Sequence, residues 1–201
     1  MTSEAQSLIT ELDAAVSKAS ETWRSELLRR VTDLLLGGVD DYSAHQIAIF
    51  DDILCRLIEN AEASALIELS ARLAPLAAAP PKAVASLARN ENSAISGPVL
   101  EISNLLGEQA LIDLAMTKRN NQLTAIAARK RLPEALTDIL VDRGNAEVAL
   151  KLVANQDARL SERGFVKLIG QAKTDKTLAA AIATRKDMPP ELEPFLKLTL
   201  A

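Results

Sequence analysis

One cysteine and one histidine are all the thiol and imidazole chemistry that 201 residues contain. The lone Cys55 excludes an intrachain disulfide and fits a reducing cytoplasm. His45 stands ten residues before it in a stretch that reads as one helix, so the two lie about 15 Å apart along the axis. That separation rules out a Cys–His pair, and zinc needs more ligands than these two. Cys55 is therefore expected to be a small buried residue and His45 a first-turn surface residue. Aromatic residues make up only 2% of the chain, which leaves no rings interleaved with cations for stacking bases. With 7 glycines and 8 prolines, few tight β-turns can be built. No apolar run approaches the roughly 18–20 residues of a spanning helix. MTSEAQSLITELDAAVSK lacks the basic start and apolar run of a signal peptide. Signatures of phosphate loops, dinucleotide folds, zinc proteases and serine hydrolases are missing too. The expectation is a cytoplasmic protein that is not an enzyme, holds no metal or cofactor and does not enter a membrane.

Alanine, leucine, isoleucine and valine dominate the 48% of the chain that is hydrophobic, and 25% is charged. Alanine and leucine lose little side-chain freedom in a helix, so the composition favours an all-helical protein. The net charge of −4 argues against a dedicated nucleic-acid binder. Apolar spacing predicts helices over about 4–19, then from Ser20 to the Gly37-Gly38 pair, then from Ser43, and over about 62–74. Gly37-Gly38 reads as a left-handed C-cap, and Ser43 with Gln46 as a capping box. Trp23 is expected in the core of the N-terminal hairpin, or else as an anchor for self-association through it. APLAAAPP (74–81) breaks the helical pattern. The organisation expected is a helical hairpin over 1–41, acting as a cap or dimerisation element, and a repeat domain over 42–201 with an internal break near 74–81.

The second half of the chain repeats itself. IAARKRLPEALTDIL (126–140) and IATRKDMPPELEPFL (182–196) agree at seven of fifteen positions, among them Arg129/Arg185, Lys130/Lys186 and Pro133/Pro189, at an offset of 56. LARNENSAIS (87–96) parallels LVANQDARLS (152–161) at an offset of 65, pairing Asn90 with Asn155 and Ser96 with Ser161. Short amphipathic helices repeated in this way bury their apolar faces only by stacking. The fold class expected is all-α, a right-handed α-solenoid of short HEAT-like repeats after the hairpin, with roughly 12–13 helices and no β-sheet. Pro133 and Pro189 suit the first position of a helix. Arg129 and Arg185 are expected to cap the carbonyls of the helix each one ends, and Asn90 and Asn155 to sit in caps or turns.

The phrases YSAHQIAIFDDILCRLI (42–58), RLAPLAAAPPKAVASLARNENSAISGPVLEIS (72–103), AIAARKRLPEALTDILV (125–141) and KLVANQDARLSERG (151–164) resemble a family of uncharacterised bacterial proteins. That family is catalogued as domain of unknown function 2336. The resemblance implies a HEAT-like or leucine-rich-variant-like helical fold and brings no catalytic residues.

Asp51-Asp52 reads as an acidic pair on a solvated face. Residues 114–133 hold Lys118, Arg119, Arg129, Lys130 and Arg131 and no acidic residue. With Arg185 and Lys186 these form the candidate interaction surface. The function expected is a non-enzymatic protein–protein interaction module or adaptor that binds another protein or peptide segment. A homodimer through the N-terminal hairpin is a further expectation. The alternative is binding of an anionic small molecule or nucleic acid through the basic helix ends around 118–131 and 185–186, nucleic acid being disfavoured.

Overall fold

The computed structural model describes residues 20–200. Ser20 is extended, and its hydroxyl accepts the Trp23 N–H at 3.2 Å, opening α1 (Glu21–Leu36). The helix expected over 4–19, the other arm of the hairpin, lies outside the described residues. α1 stops at Gly37-Gly38, but not by a left-handed cap. Gly37 is right-handed with φ −65°, and no glycine among the described residues has positive φ. Gly38 is needed for space instead: a Cβ there would lie 2.8 Å from the Tyr42 ring, whose hydroxyl donates to Leu34 O at 3.0 Å. Trp23, expected in the core, is 46% exposed.

α2 (Ala44–Ile58) opens with the expected capping box. Ser43 Oγ accepts the Gln46 N–H at 3.3 Å, and Gln46 Oε1 accepts the Ser43 N–H at 2.9 Å. α3 (Ala63–Leu73) and α4 (Pro81–Arg89) start without a cap from their own N-cap residues. Other helices supply it. Ser25 Oγ in α1 accepts the Glu62 N–H at 3.3 Å. Asp51 in α2, only 2% exposed, accepts the Ala83 N–H at 2.8 Å and the Lys82 N–H at 3.0 Å. A carboxylate there satisfies two open donors and faces the positive end of the α4 dipole. Asp51 therefore departs from the solvated reading, while Asp52 keeps it and pairs with Lys82 at 2.7 Å.

Contacts divide the chain into two units, one of 1–99 with 103–105 and one of Leu100–Ile102 with 106–201. In the first, α1 packs on α2 and α3, and α4 packs on both α2 and α3. The proline-rich stretch 74–81 thus joins helices of the same unit. α5 (Ser93–Ile102) gives its last turn to the second unit.

The second unit continues with α6 (Glu108–Thr117), α7 (Asn120–Ala127), α8 (Glu134–Arg143), α9 (Ala146–Ala154), α10 (Glu162–Ala172) and α11 (Lys176–Ala183). A 3-10 turn (Pro190–Leu192) then leads into α12 (Glu193–Leu200). α6, α8, α10 and α12 pack one on the next as one row, and α7, α9 and α11 form another. This alternation is the packing of an α-solenoid. Ile126, Leu136, Leu140, Leu152, Phe165, Leu168 and Ile182 are each fully buried and fill the space between helices. Among the described residues there are twelve α-helices and no strand.

The two sequence offsets have different meanings in the structure. α7 and α11 coincide end to end at the offset of 56, and α4 and α9 do so at 65. Alternate elements begin at 81, 108, 134, 162 and 190, and the others at 93, 120, 146 and 176, so the recurring unit is a helix pair of 26–30 residues. The match of Ser96 with Ser161 is not structural. Ser161 is the N-cap of α10, whereas Ser96 is buried inside α5, whose N-cap is Asn92. Pro133 and Pro189 occupy N-cap positions, one residue before the expected place.

Removing the cap on α4 should be costly. We expect Asp51→Ala to lower stability by about 2 kcal/mol. Asp51→Asn, which keeps an acceptor, should lower it less, and Asp52→Ala hardly at all. Urea unfolding measures all three, and an unchanged midpoint for Asp51→Ala would deny the cap any weight. A pH effect is expected at the α8–α10 contact. The Lys167 ammonium, hydrogen-bonded at 2.8 Å, holds the Asp142 carboxyl below the ordinary carboxylate range, with Arg163 assisting and partial burial opposing. A lowered carboxylate pKa contributes stability above its unfolded value, about pH 4, and loses it as pH falls through the folded value. Asp142→Asn should therefore flatten the acid limb of a stability–pH profile.

Candidate interaction surfaces

Every helix leaves its last four carbonyls without partners inside the helix. In the second unit, side chains in or just after a helix take carbonyls of the helix two places earlier in the chain. Arg129 lies just past Ala128, the C-cap of α7, is 8% exposed, and donates from Nη1 to Leu100 O at 2.7 Å. Burial pulls its guanidinium below the usual arginine value. Asn155, at the C-cap of α9, donates from Nδ2 to Ala127 O at 2.8 Å and Arg129 O at 2.6 Å. Arg185, past the end of α11 and 5% exposed, donates to Val153 O at 3.1 Å, Asn155 O at 2.8 Å and Ala158 O at 2.7 Å. Asp187 holds the same guanidinium through Nε at 2.8 Å and Nη2 at 2.6 Å, and the Phe165 ring centroid lies 5.8 Å from it. In the other row Arg143, closing α8, donates to Ala115 O and, at 3.5 Å, to Lys118 O.

The two repeated arginines thus serve the ends of earlier helices, Arg129 that of α5 and Arg185 that of α9. Asn155 sits in the expected turn, its Oδ1 accepting the Asp157 N–H at 3.1 Å, as Asn90 Oδ1 accepts the Asn92 N–H at 2.9 Å.

The basic residues singled out in the sequence separate accordingly. Lys118, Arg129 and Arg185 are buried, while Arg119, Lys130, Arg131 and Lys186 are exposed. Arg119 is the N-cap of α7, and Lys130 and Arg131 follow its other end. The eight residues of α7 span about 12 Å, so Arg119 stands apart from the other three. Lys130, Arg131 and Lys186 lie on linkers that flank the 155–161 linker, since Asn155 donates to Arg129 O in the first and Arg185, in the second, donates to Asn155 O and Ala158 O. Arg159 joins them. Its N–H donates to Leu132 O at 2.9 Å, its C=O accepts from Thr137 at 2.7 Å, and its side chain is exposed. No local sequence signal marks Arg159, because only tertiary packing brings its linker beside Arg131. Arg131 has φ 57°, the one positive φ among the described non-glycine residues, a conformation that costs an ordinary side chain about 1–2 kcal/mol.

An apolar groove lies between α10 and α12. It has a volume of about 540 Å³ and is lined by Val166, Ile169, Leu192, Phe195 and Leu198, with Thr199 and the charged Lys173 beside them. Phe195 is 59% exposed and Leu198 77%. In the sequence, these residues look like the ordinary apolar faces of two amphipathic helices, and only the packing leaves them uncovered.

The remaining candidates are quiet. His45 is exposed, and Cys55 is half-buried with Sγ 4.0 Å from Asp51 Oδ1. Burial pushes the Cys55 thiol up, and the Asp51 carboxylate adds to the shift against the opposing charge of Lys82, so the thiol is not activated as a nucleophile. Among the described residues no three His, Cys, Asp or Glu side chains converge on a point that would hold a metal, and no helix is long and apolar enough to cross a membrane.

The clasps should be far more sensitive to substitution than their exposed neighbours. Arg185→Met strands three carbonyls and Asp187, and we expect a loss of about 3 kcal/mol. Arg185→Lys should recover little of it, because an ammonium cannot reach all the partners of a planar fork. Lys186→Ala should change stability by less than about 0.5 kcal/mol. Thermal melts compare the three, and an Arg185→Lys protein as stable as the wild type would contradict the clasp.

Neither a curated protein nor a solved structure matches the chain. A family of bacterial proteins does match, from Ile95 in α5 to Glu193 at the start of α12, a stretch that includes Arg129, Asn155 and Arg185. Residues 95–193 match the family described as "Uncharacterised protein conserved in bacteria (DUF2336)".

Proposed function

We propose that this chain is a non-enzymatic interaction module of the cytoplasm, which binds an amphipathic helical segment of another protein in the groove between α10 and α12. The observation that carries this reading is the exposure of Val166, Phe195 and Leu198 around one concave apolar surface. Scattered surface hydrophobics are ordinary, but a contiguous concave set is characteristic of a binding site. Its form suits a helix laid between two helices, with anchors one turn apart. The volume of about 540 Å³ falls within the range that binding sites occupy and accommodates a few anchoring side chains. Lys173 in the lining favours a segment carrying a carboxylate beside its apolar stripe. The repeat architecture supports the same reading by analogy, since stacked helices characteristically present extended binding surfaces.

The experiment compares the wild type with Phe195→Glu and Leu198→Glu. Cross-linking in native cells and mass spectrometry identify the segment touching α10 and α12, and that segment is then synthesised and titrated. We expect the wild type to bind the peptide and each variant to lose at least about tenfold in affinity. Retained affinity in both variants would exclude the groove. Light scattering gives a second outcome: a mass of two chains that falls to one in Phe195→Glu would make another copy of this chain the occupant.

A further inference from the structure

The linkers after α7, α9 and α11 lie side by side, tied by the Arg159 N–H to Leu132 O, by Asn155 to Arg129 O, and by Arg185 to Asn155 O and Ala158 O. They carry four exposed cations, Lys130, Arg131, Arg159 and Lys186, whose side chains make no ion pair among the described residues. We infer that this ridge of linkers is a second binding surface, separate from the apolar groove, and that its partner is an acidic segment of another protein.

Two observations raise the ridge above an ordinary set of helix-end charges. Cations are common at helix C-termini because they cap carbonyls and complement the dipole. Here Asn155 already takes Ala127 O at the end of α7, and Arg185 takes Val153 O at the end of α9. Among the described residues the exposed cations themselves donate to no helix carbonyl, so capping does not account for them. The second observation is Arg131 itself. At φ 57° glycine or asparagine would sit at lower cost, yet the position holds a long charged side chain. The equivalent position in the repeated phrase, Asp187, carries the opposite charge and is occupied with Arg185. The scaffold thus does not require a cation there.

The composition of the ridge favours protein over nucleic acid. Its linkers, ARKRLP (128–133), NQDARLS (155–161) and TRKDMP (184–189), contain no aromatic residue on which a base could stack. Asp157 is exposed among the cations and would repel a continuous phosphate backbone. An acidic peptide can place its carboxylates at intervals and avoid Asp157.

The test is fluorescence polarisation of the full chain with a labelled oligoglutamate peptide and, in parallel, a labelled single-stranded oligodeoxythymidine. The wild type is expected to bind the peptide at low salt, with affinity falling as salt is raised. Lys130→Glu/Arg131→Glu should weaken binding at least about tenfold, while its melting temperature stays close to the wild type. Arg131→Gly supplies the distinguishing readout: relief of the left-handed strain should raise the melting temperature by about 2–4 °C while weakening peptide binding. Absence of peptide binding at low salt, or binding untouched by both variants, would overturn the inference. Tighter binding of the oligonucleotide than of the peptide would overturn it in favour of nucleic acid.

Discussion

A helix of eight to eleven residues has four carbonyls with no partner inside it, a large fraction of its backbone acceptors. Stacking such helices brings many of these acceptors into places that water reaches poorly, where each unsatisfied group costs about 1–3 kcal/mol. The second unit answers this with donors sent back from just past the helix two places further along the chain: Arg129 to Leu100, Asn155 to Ala127, and Arg185 to Val153. Arginine suits the task because its planar fork addresses carbonyls in several directions at once, which an ammonium cannot do. The three carbonyls and one carboxylate met by Arg185 are the fullest case. The order of the row, the course of the linkers and the exposure of their remaining side chains all follow from where these donors must reach.

The helix beginnings are treated in a parallel way in the first unit. Asp51 caps α4 from α2, and Ser25 meets the N–H of Glu62 before α3. In both units, polar side chains that look dispensable in sequence are used to satisfy the backbone of a different helix. Exposed ion pairs such as Arg29–Glu68 and Arg72–Asp33 decorate the same contacts and contribute little beside them.

This division of labour separates buried from exposed arginines within a single linker. Arg129 and Arg131 stand two positions apart, yet the first is enclosed by backbone and the second extends from a strained linker into solvent. The two surfaces proposed for binding, the apolar groove between α10 and α12 and the cationic ridge of linkers, are made of side chains that the backbone does not use. The first offers shape and apolar area, the second charge at defined intervals, and the two would engage different features of a partner.

Much of the helical plan was legible in the chain itself. The apolar spacing after Ser20, the capping box at Ser43 and the coincidence of α7 with α11 at an offset of 56 are local features, set by neighbours within a turn or by direct repetition. Local features also misled where another helix intervened. Gly38 answers to the Tyr42 ring and not to a left-handed cap, Asp51 to the start of α4 and not to solvent, and Ser96 shares a phrase with Ser161 without sharing its place. Composition and periodicity by themselves determined an all-helical stack, because the helical preference of alanine and leucine and the burial of apolar stripes depend only on residue type and spacing. Which cations are enclosed and which apolar side chains stay uncovered was decided by tertiary structure, since burial at Arg129, Arg185 and Phe195 depends on helices dozens of residues away that no local window contains.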